Sequence, residues 1–356
     1  MFESLIGGGG KGLIGLDISS SSVKVLELSR KGDQFHVEAF GSAALPPGAV
    51  NEKNIIDPGV VGEAIASAVD RSGSTTKQVA VAVAGAAVFT KVIEAPANLS
   101  SRELEEHVQT EAQNHIPYPL EEVNIDFQVM GPQEKNPEAL DLLLAACRKE
   151  QIEQRQAALE LAGLKARVVD IEMYAMENAC QFLRYQMPDE GVNKTIAVID
   201  IGSVTTGVTV LHNLATVYTR DQSFGGKQLT EDVMRHFGMS YEEAQKNLKN
   251  GALPDNYETD VLANFVGDMG QQIDRALQFF FSASTQFTQI DQILLAGGCA
   301  HIPNLDARIQ EKLNIPAAVA RPFAHMSIAA RARPQALAKE EASLLVAAGL
   351  ATRAFD

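Results

Sequence analysis

The sequence is short of cysteine, of basic charge and of long apolar runs, and each shortage removes a class of function. Its three cysteines, Cys147, Cys180 and Cys299, stand far apart, with no CxxC pair and no histidine at ligand spacing. Neither a disulfide framework nor a zinc site is expected, and a reducing cytoplasm suits the chain. Basic residues number 30 against 45 acidic ones, a formal charge of -15, which repels a phosphate backbone and argues against nucleic acid as a partner. No run reaches the roughly 18 to 20 apolar residues of a membrane span. The start, MFESLIGGGGKG, carries an early acid and a run of four glycines, and reads as a flexible leader over 1–12 rather than an export signal. A role at a membrane therefore calls for another protein as tether. His107, His115, His301 and His325 show no paired metal spacing. The sequence holds no GxxxxGK followed by Ser or Thr, and no GxGxxG behind the first strand, which excludes a P-loop and a dinucleotide site.

What is present is an ordinary globular composition, 356 residues with 46% hydrophobic and 21% charged, enough for two domains or one duplicated one. Two segments, GLIGLDISSSSVKVLEL (12–28) and KTIAVIDIGSVTTGVTVL (194–211), each read as strand, aspartate, small-residue turn and strand. Aligning Asp17 on Asp200 also brings Ile18 onto Ile201, Ser20 onto Ser203, Val25 onto Val208 and Leu28 onto Leu211, at a constant offset of 183 residues. Either two common hairpins echo each other by chance or the chain carries a domain-sized duplication. Further strands at 78–85, 88–95, 139–147 and 291–298 alternate with segments of helical period, which gives an α/β class. Ser100 or Ser101 is placed to cap one helix, which Pro117 and Pro119 stop, and Gly163 ends the next. The apolar FFF at 279–281 is read as core, with an oligomerisation patch as the alternative.

A strand that ends in aspartate and runs into small residues suits phosphate, because unobstructed backbone N–H groups approach its oxygens while the carboxylate holds hydrated magnesium. DIGSVTTG (200–207) supplies Asp200, Gly202, Ser203 and Thr205. DISSSSVK (17–24) supplies Asp17, Ser20, Ser21, Ser22 and Lys24, with Ser19 where a glycine would be expected. In LLAGGCAHIPNL (294–305), Gly297, Gly298 and Cys299 lie between a strand and a helix, where a flat base can rest on the main chain. A plain strand-to-helix turn is the competing reading of that segment.

In this order the three segments resemble the phosphate-1 (15–24), phosphate-2 (198–207) and adenosine (294–300) motifs of the actin, sugar-kinase and heat-shock-chaperone superfamily. EAQNHIPYPLEEV, LLLAACRKE, ALELAGLKARVVDIEMYAMENA, FGGKQLTEDV, LQFFFSAS and GLATRAFD narrow the resemblance to FtsA and, more closely, to the PilM-like type IV pilus assembly proteins. The resemblance implies a duplicated actin-like, ribonuclease H-like ATPase fold with an FtsA-type inserted subdomain. Its parts would be a first core over 13–88 plus 168–190, the insert over 89–167, a second core over 195–224 plus 285–356, and a helical cap over 225–284. It further implies ATP or ADP with Mg2+ held through Asp17 and Asp200, and a ribose-side turn at Gly225 and Gly226. Gln245 replaces the acid expected in the adenine-contacting signature, with Lys249 out of register. Glu172 stands where related hydrolases orient water, and equally where any helix start favours a carboxylate. These departures point to slow or absent hydrolysis. The implied partner is the N-terminal cytoplasmic tail of the single-span protein PilN, in a groove lined by Val108, Ala112, Ile116, Tyr118, Pro119 and Leu120. Core packing is the alternative for the first three, given their i, i+4, i+8 spacing. Contacts with pilus motor ATPases and the platform protein, self-association, and peripheral attachment to the inner membrane through the partner complete the expectation, with service in pilus biogenesis and twitching motility. An FtsA-like division filament and a small-molecule kinase of the same fold are the alternatives.

Overall fold

In the computed structural model, residues 12–133, 135–284 and 286–356 are described, so the leader expected over 1–12 lies outside them except for Gly12. The first part is a meander, β1 (Ile14–Ile18), β2 (Ser22–Lys31) and β3 (Gln34–Ala44), then a small hairpin, β4 (Val50–Asn51) and β5 (Asn54–Ile55), helix α1 (Pro58–Ser72) and β6 (Gln78–Val83). There follow β7 (Val88–Pro96), α2 (Ser101–His115), β8 (Val123–Pro132), β9 (Ala139–Arg148), α3 (Lys149–Leu161), β10 (Lys165–Ile171) and α4 (Glu172–Cys180). The second half repeats the meander as β11 (Thr195–Ile201), β12 (Thr206–His212) and β13 (Ala215–Gln222). It continues with α5 (Gly226–Phe237), α6 (Tyr241–Asn250), α7 (Ala263–Ala283), β14 (Gln292–Ala296), α8 (Leu305–Leu313) and β15 (Ala317–Val319). Last come β16 (Ser327–Ile328), α9 (Pro334–Ala338) and α10 (Leu345–Thr352).

The two meanders anchor two sheets, in the orders β10-β6-β1-β2-β3-β16 and β13-β12-β11-β14-β15. Each has its lead strand flanked by an antiparallel and a parallel neighbour, β1 by β2 and β6, β11 by β12 and β14. Both lead strands are buried along most of their length, as their unbroken apolar runs require. Local signals fix the helices. The Asp57 side chain accepts from the Gly59 and Val60 N–H groups at the start of α1, and Gly73 ends it in the left-handed region at φ 68°. Ser100 and Glu103 cap α2 reciprocally.

One core joins the halves. Ala175, Met176, Ala179 and Cys180 of α4 pack with Leu13 just before β1, with Leu26 and Ala80 of the first sheet and with Ile196, Val198 and Leu294 of the second. A fully buried side chain such as Leu26 contributes about 1.5–3 kcal/mol by leaving water. The cap helices α5 and α7 share a separate core with the outer face of the second sheet, through Leu229, Phe265 and Ile273 against Ile199 and Ile201. Phe280 is buried there, whereas Phe279 is half exposed beneath the Arg220 guanidinium.

Two boundaries differ from expectation. The terminal stretch assigned to the second core returns to the first: β16 pairs with β3, and α10 lies on β1 and α4. Glycine makes room for it, since a Cβ at Gly15 would lie 2.1 Å from the Ala347 carbonyl and one at Gly349 would lie 1.7 Å from that of Ala175. Arg353 then pairs with the buried Asp170 at 2.7 Å. The insert is also shorter than 89–167. Its sheet, β7-β9-β8, is covered by α2, while Ala158 and Leu159 of α3 belong with Leu16, Val61 and Ile65 of the first core. Among the described residues, no helix is long and apolar enough to cross a membrane.

Candidate functional site

The duplication holds at the level of single hydrogen bonds. Asp17 pairs with Lys24 across the first hairpin, and Asp200 with Gly207 across the second. The Ser19 N–H donates to the Ser22 carbonyl at 3.0 Å, and the Gly202 N–H to that of Thr205, also at 3.0 Å. These are the same bonds displaced by the same offset. The turns differ in what fills them. In the first, the Ser19 hydroxyl donates to the Ser22 carbonyl at 2.9 Å and the Lys24 ammonium to Asp17 Oδ2 at 3.0 Å. Ser20 is partly exposed, and Ser21 is exposed with its carbonyl accepting from the Leu45 N–H.

Around the second turn gather the other glycine segments. The Gly226 N–H donates to the Gly202 carbonyl at 3.0 Å and the Lys227 N–H to that of Ser203 at 2.7 Å. A Cβ on Gly225 would strike the Gly202 and Ser203 carbonyls at 2.6 Å, and one on Gly226 the Cys299 sulfur at 2.7 Å. Gly297, at φ 84°, seats its Cα where a Cβ would lie 2.4 Å from Asp200 Oδ1. Gly298 beside it faces nothing within 4 Å, an open strip of main chain. Burial pushes the Cys299 thiol up to about 12, so it lines the site as a neutral group. Lys249 does not join this set: it is exposed on α6 and forms no ion pair among the described residues.

Charge converges between the turns. Burial pushes the Asp200 carboxyl up to about 6, with Lys24 opposing and Asp17 and Glu172 reinforcing. Burial alone would lower the Lys24 ammonium, but Asp17 outweighs it and the group sits above its usual range. Glu172 is held above the usual carboxylate range by burial, although Lys53 donates to it at 2.8 Å. Lys53 also donates to Asp221 of β13 at 3.2 Å. Neither Lys53 nor Asp221 was visible as a site residue in the sequence, because a hairpin-tip lysine and an edge-strand aspartate belong to no motif.

The expected partner groove resolves into two sets. Val108, Ala112 and Ile116 are 2%, 0% and 7% exposed and form the insert's own core with Ile93, Leu142 and Leu144, so they are corrected from contact residues to packing residues. Their spacing is that of one helix face, and the face turns inward. Tyr118 is 40% exposed with the Arg148 guanidinium 4.6 Å from its ring centre, Pro119 is exposed and Leu120 half buried.

Residues 15–355 match the family model for the type IV pilus assembly protein PilM. The chain is similar to a solved chain of a PilM-PilN type IV pilus biogenesis complex, with 24% identity, 97% of this chain and 98% of that one covered, and a TM-score of 0.77. It is also similar to the ethanolamine utilization protein EutJ from Carboxydothermus hydrogenoformans, at 15% identity, 97% and 90% coverage and a TM-score of 0.57. MreB5 of Spiroplasma citri bound to AMPPNP matches at 12% identity, 98% and 97% coverage and a TM-score of 0.51. The fold is the duplicated actin-like ATPase fold.

Proposed function

The chain belongs to the PilM family of type IV pilus assembly proteins, and from that membership we propose that it is a nucleotide-binding scaffold that docks the N-terminal cytoplasmic tail of PilN. The observation that carries the nucleotide half of the reading is the pair of turns, matched in register and in one backbone hydrogen bond, whose Asp17, Lys24 and Asp200 charges act on one another. MreB5, which shares the fold, is solved with AMPPNP bound. ATP or ADP would place its phosphates between the turns, with its base along Gly297 and Gly298. Magnesium fits these residues. No group of three or more His, Cys, Asp or Glu among the described residues forms a closed metal site, and a magnesium ion that keeps its waters and takes one or two carboxylates beside phosphates needs none. The raised Asp200 carboxyl marks the place where added positive charge is favourable. Bound there, the ion would neutralise phosphate charge.

Hydrolysis is slow or absent on this reading. Glu172, the acid nearest in role to a water-orienting group, is already engaged by Lys53. A robust magnesium-dependent turnover abolished by Glu172→Gln would overturn this point. The nucleotide is then a structural or switching ligand that sets the angle between the halves.

The partner half of the reading comes from the family and from the solved PilM-PilN complex. Docking PilN's tail beside the insert attaches the chain peripherally to the inner membrane and links the platform and motor to the periplasmic parts of the pilus machine. Tyr118, Pro119 and Leu120 are the anchors that the fold leaves accessible. Calorimetric titration with a synthetic PilN N-terminal tail, with and without Mg-ATP, tests both halves. Saturable one-to-one binding is expected, and its absence in both states would overturn the scaffold reading. Tyr118→Ala should weaken the tail roughly tenfold, the loss of one accessible aromatic anchor, while leaving Mg-ATP binding intact.

A further inference from the structure

Arg155, on α3, is the single basic side chain among the buried residues, at 3% exposure, and has no carboxylate within ion-pair distance among the described residues. A buried guanidinium without a directly paired carboxylate is costly unless its donors are met, since Glu172 acts on Arg155 only from beyond ion-pair distance. Here they are met chiefly by backbone carbonyls: Ala82 at 2.7 Å, Gln151 at 2.7 Å and Lys53 at 3.1 Å, with the Gln151 side chain at 3.3 Å. Ala82 lies near the end of β6, and Lys53 lies at the tip of the β4–β5 hairpin. Both tip residues, Glu52 and Lys53, adopt positive φ, 46° and 65°. A two-residue hairpin of the type I′ kind requires this geometry, but residues with side chains keep it only where the surroundings hold them. Arg155 supplies that hold.

From this tip the Lys53 side chain reaches both halves of the molecule. Its ammonium lies 2.8 Å from Glu172 Oε1 at the start of α4 and 3.2 Å from Asp221 Oδ2 on β13 in the second sheet. Asp17, Lys53, Arg155 and Glu172 border one cavity of about 10 Å³, room for no more than a single water. On its other side, α3 follows β9 of the insert directly, Lys149 after Arg148. A contiguous line thus runs from the insert's central strand through α3 and Arg155 to the hairpin tip, and through Lys53 to the cleft.

We propose that Arg155 is a positioning residue that sets Lys53 as a tie across the cleft, so that the insert and the nucleotide cleft are coupled through the hairpin tip. The coupling to nucleotide rests on the function proposed above; the tie between the halves does not. Because linkage is reciprocal, a ligand that shifts the insert changes nucleotide affinity and the nucleotide changes the insert's affinity by the same factor.

Spatial continuity alone does not demonstrate coupling, so the test is a cycle in the full chain. Mg-ATP affinity is measured for wild type, Lys53→Met, Arg155→Met and the double variant. In parallel, the distance between spin labels on the two halves is measured without nucleotide. Each single change should weaken Mg-ATP roughly fivefold or more, the lower end of ordinary coupling energies, and the double variant should be no weaker than Lys53→Met. Lys53→Met and Asp221→Asn should each broaden the inter-half distance distribution. Should Arg155→Met fail to fold, Arg155→Lys is scored by faster amide exchange at 51–54. Additive affinity losses, unchanged exchange, or an unchanged distance distribution in Lys53→Met would each overturn the proposal. If wild type does not bind Mg-ATP, the nucleotide reading fails, and the distance measurement still decides the tie.

Discussion

The two aspartate turns share a register and a hydrogen bond, yet they are furnished in opposite ways. The turn at 17–24 is closed upon itself: its serine hydroxyl and its lysine are committed to its own carbonyl and its own aspartate. The turn at 200–207 has the glycine main chain of Gly225 and Gly297 set against it, and burial raises its aspartate although Lys24 and Lys53 lie near enough to oppose the shift. Duplication therefore preserved the backbone while the side chains divided the work. The second turn is packed against the protein's own glycine main chain, with Gly298 left free beside it, and the first turn carries a fixed ion pair.

The sharpest way to break this contrast is to crowd the second turn. Gly297→Ala places a Cβ 2.4 Å from both Asp200 Oδ1 and the Ile201 carbonyl, at φ 84°. Strained backbone and forced overpacking together should cost about 3 kcal/mol. Thermal unfolding should show that loss and titration should show no Mg-ATP binding. A variant that retained affinity would mean that the base does not use this strip.

A smaller effect, with opposite signs in the two turns, follows from the aspartates. Unfolded, Asp200 releases its proton near 3.8, and folded near 6, so the folded state binds more protons between these values. Stability falls as pH rises from about 4 to 6, and the cost is fully present above that window. The shift of roughly two units corresponds to about 3 kcal/mol. Asp200→Asn should recover about 2 kcal/mol of it at pH 7, because Lys24 and Lys53 lose part of their counter-charge at about 1 kcal/mol. Its stability should also be flatter across the window. Asp17→Asn should instead destabilise by about 2 kcal/mol, since it leaves the mostly buried Lys24 without its partner. Denaturant melts at pH 4, 6 and 8 distinguish the two, and destabilisation by both variants would remove the asymmetry.

The duplication was legible because it lies in local pattern: apolar strands, an aspartate and small-residue turns kept at constant offset from 17–28 to 200–211. The return of the C-terminal stretch was not. β16 has only two residues, and nearly every residue of α10 is buried, so no polar face shows which layer the helix joins. The spacing of Val108, Ala112 and Ile116 is the same for a core face as for a groove, and only burial separates them. Lys53 meets Glu172 and Asp221 across separations of 119 and 168 residues. Nothing local marks such a meeting, and the buried Arg155 that arranges it lies on a helix that reads as an ordinary charged surface.

The mildest change asks which element keeps the first turn closed. Ser19→Gly restores the glycine present at the equivalent Gly202 and leaves the backbone bond to Ser22 available. It removes the hydroxyl that donates to the Ser22 carbonyl at 2.9 Å and lies 3.2 Å from the Ser22 hydroxyl. The loss of one partly buried hydrogen bond and the added freedom of the unfolded chain should total about 1 kcal/mol. If the hydroxyl is what closes the turn, Mg-ATP should bind more tightly to the variant, because phosphate can approach the turn's main chain where the side chain stood. If affinity is unchanged while stability drops, closure belongs to the Lys24–Asp17 pair. The two halves then differ by a charge rather than by the freedom of a backbone.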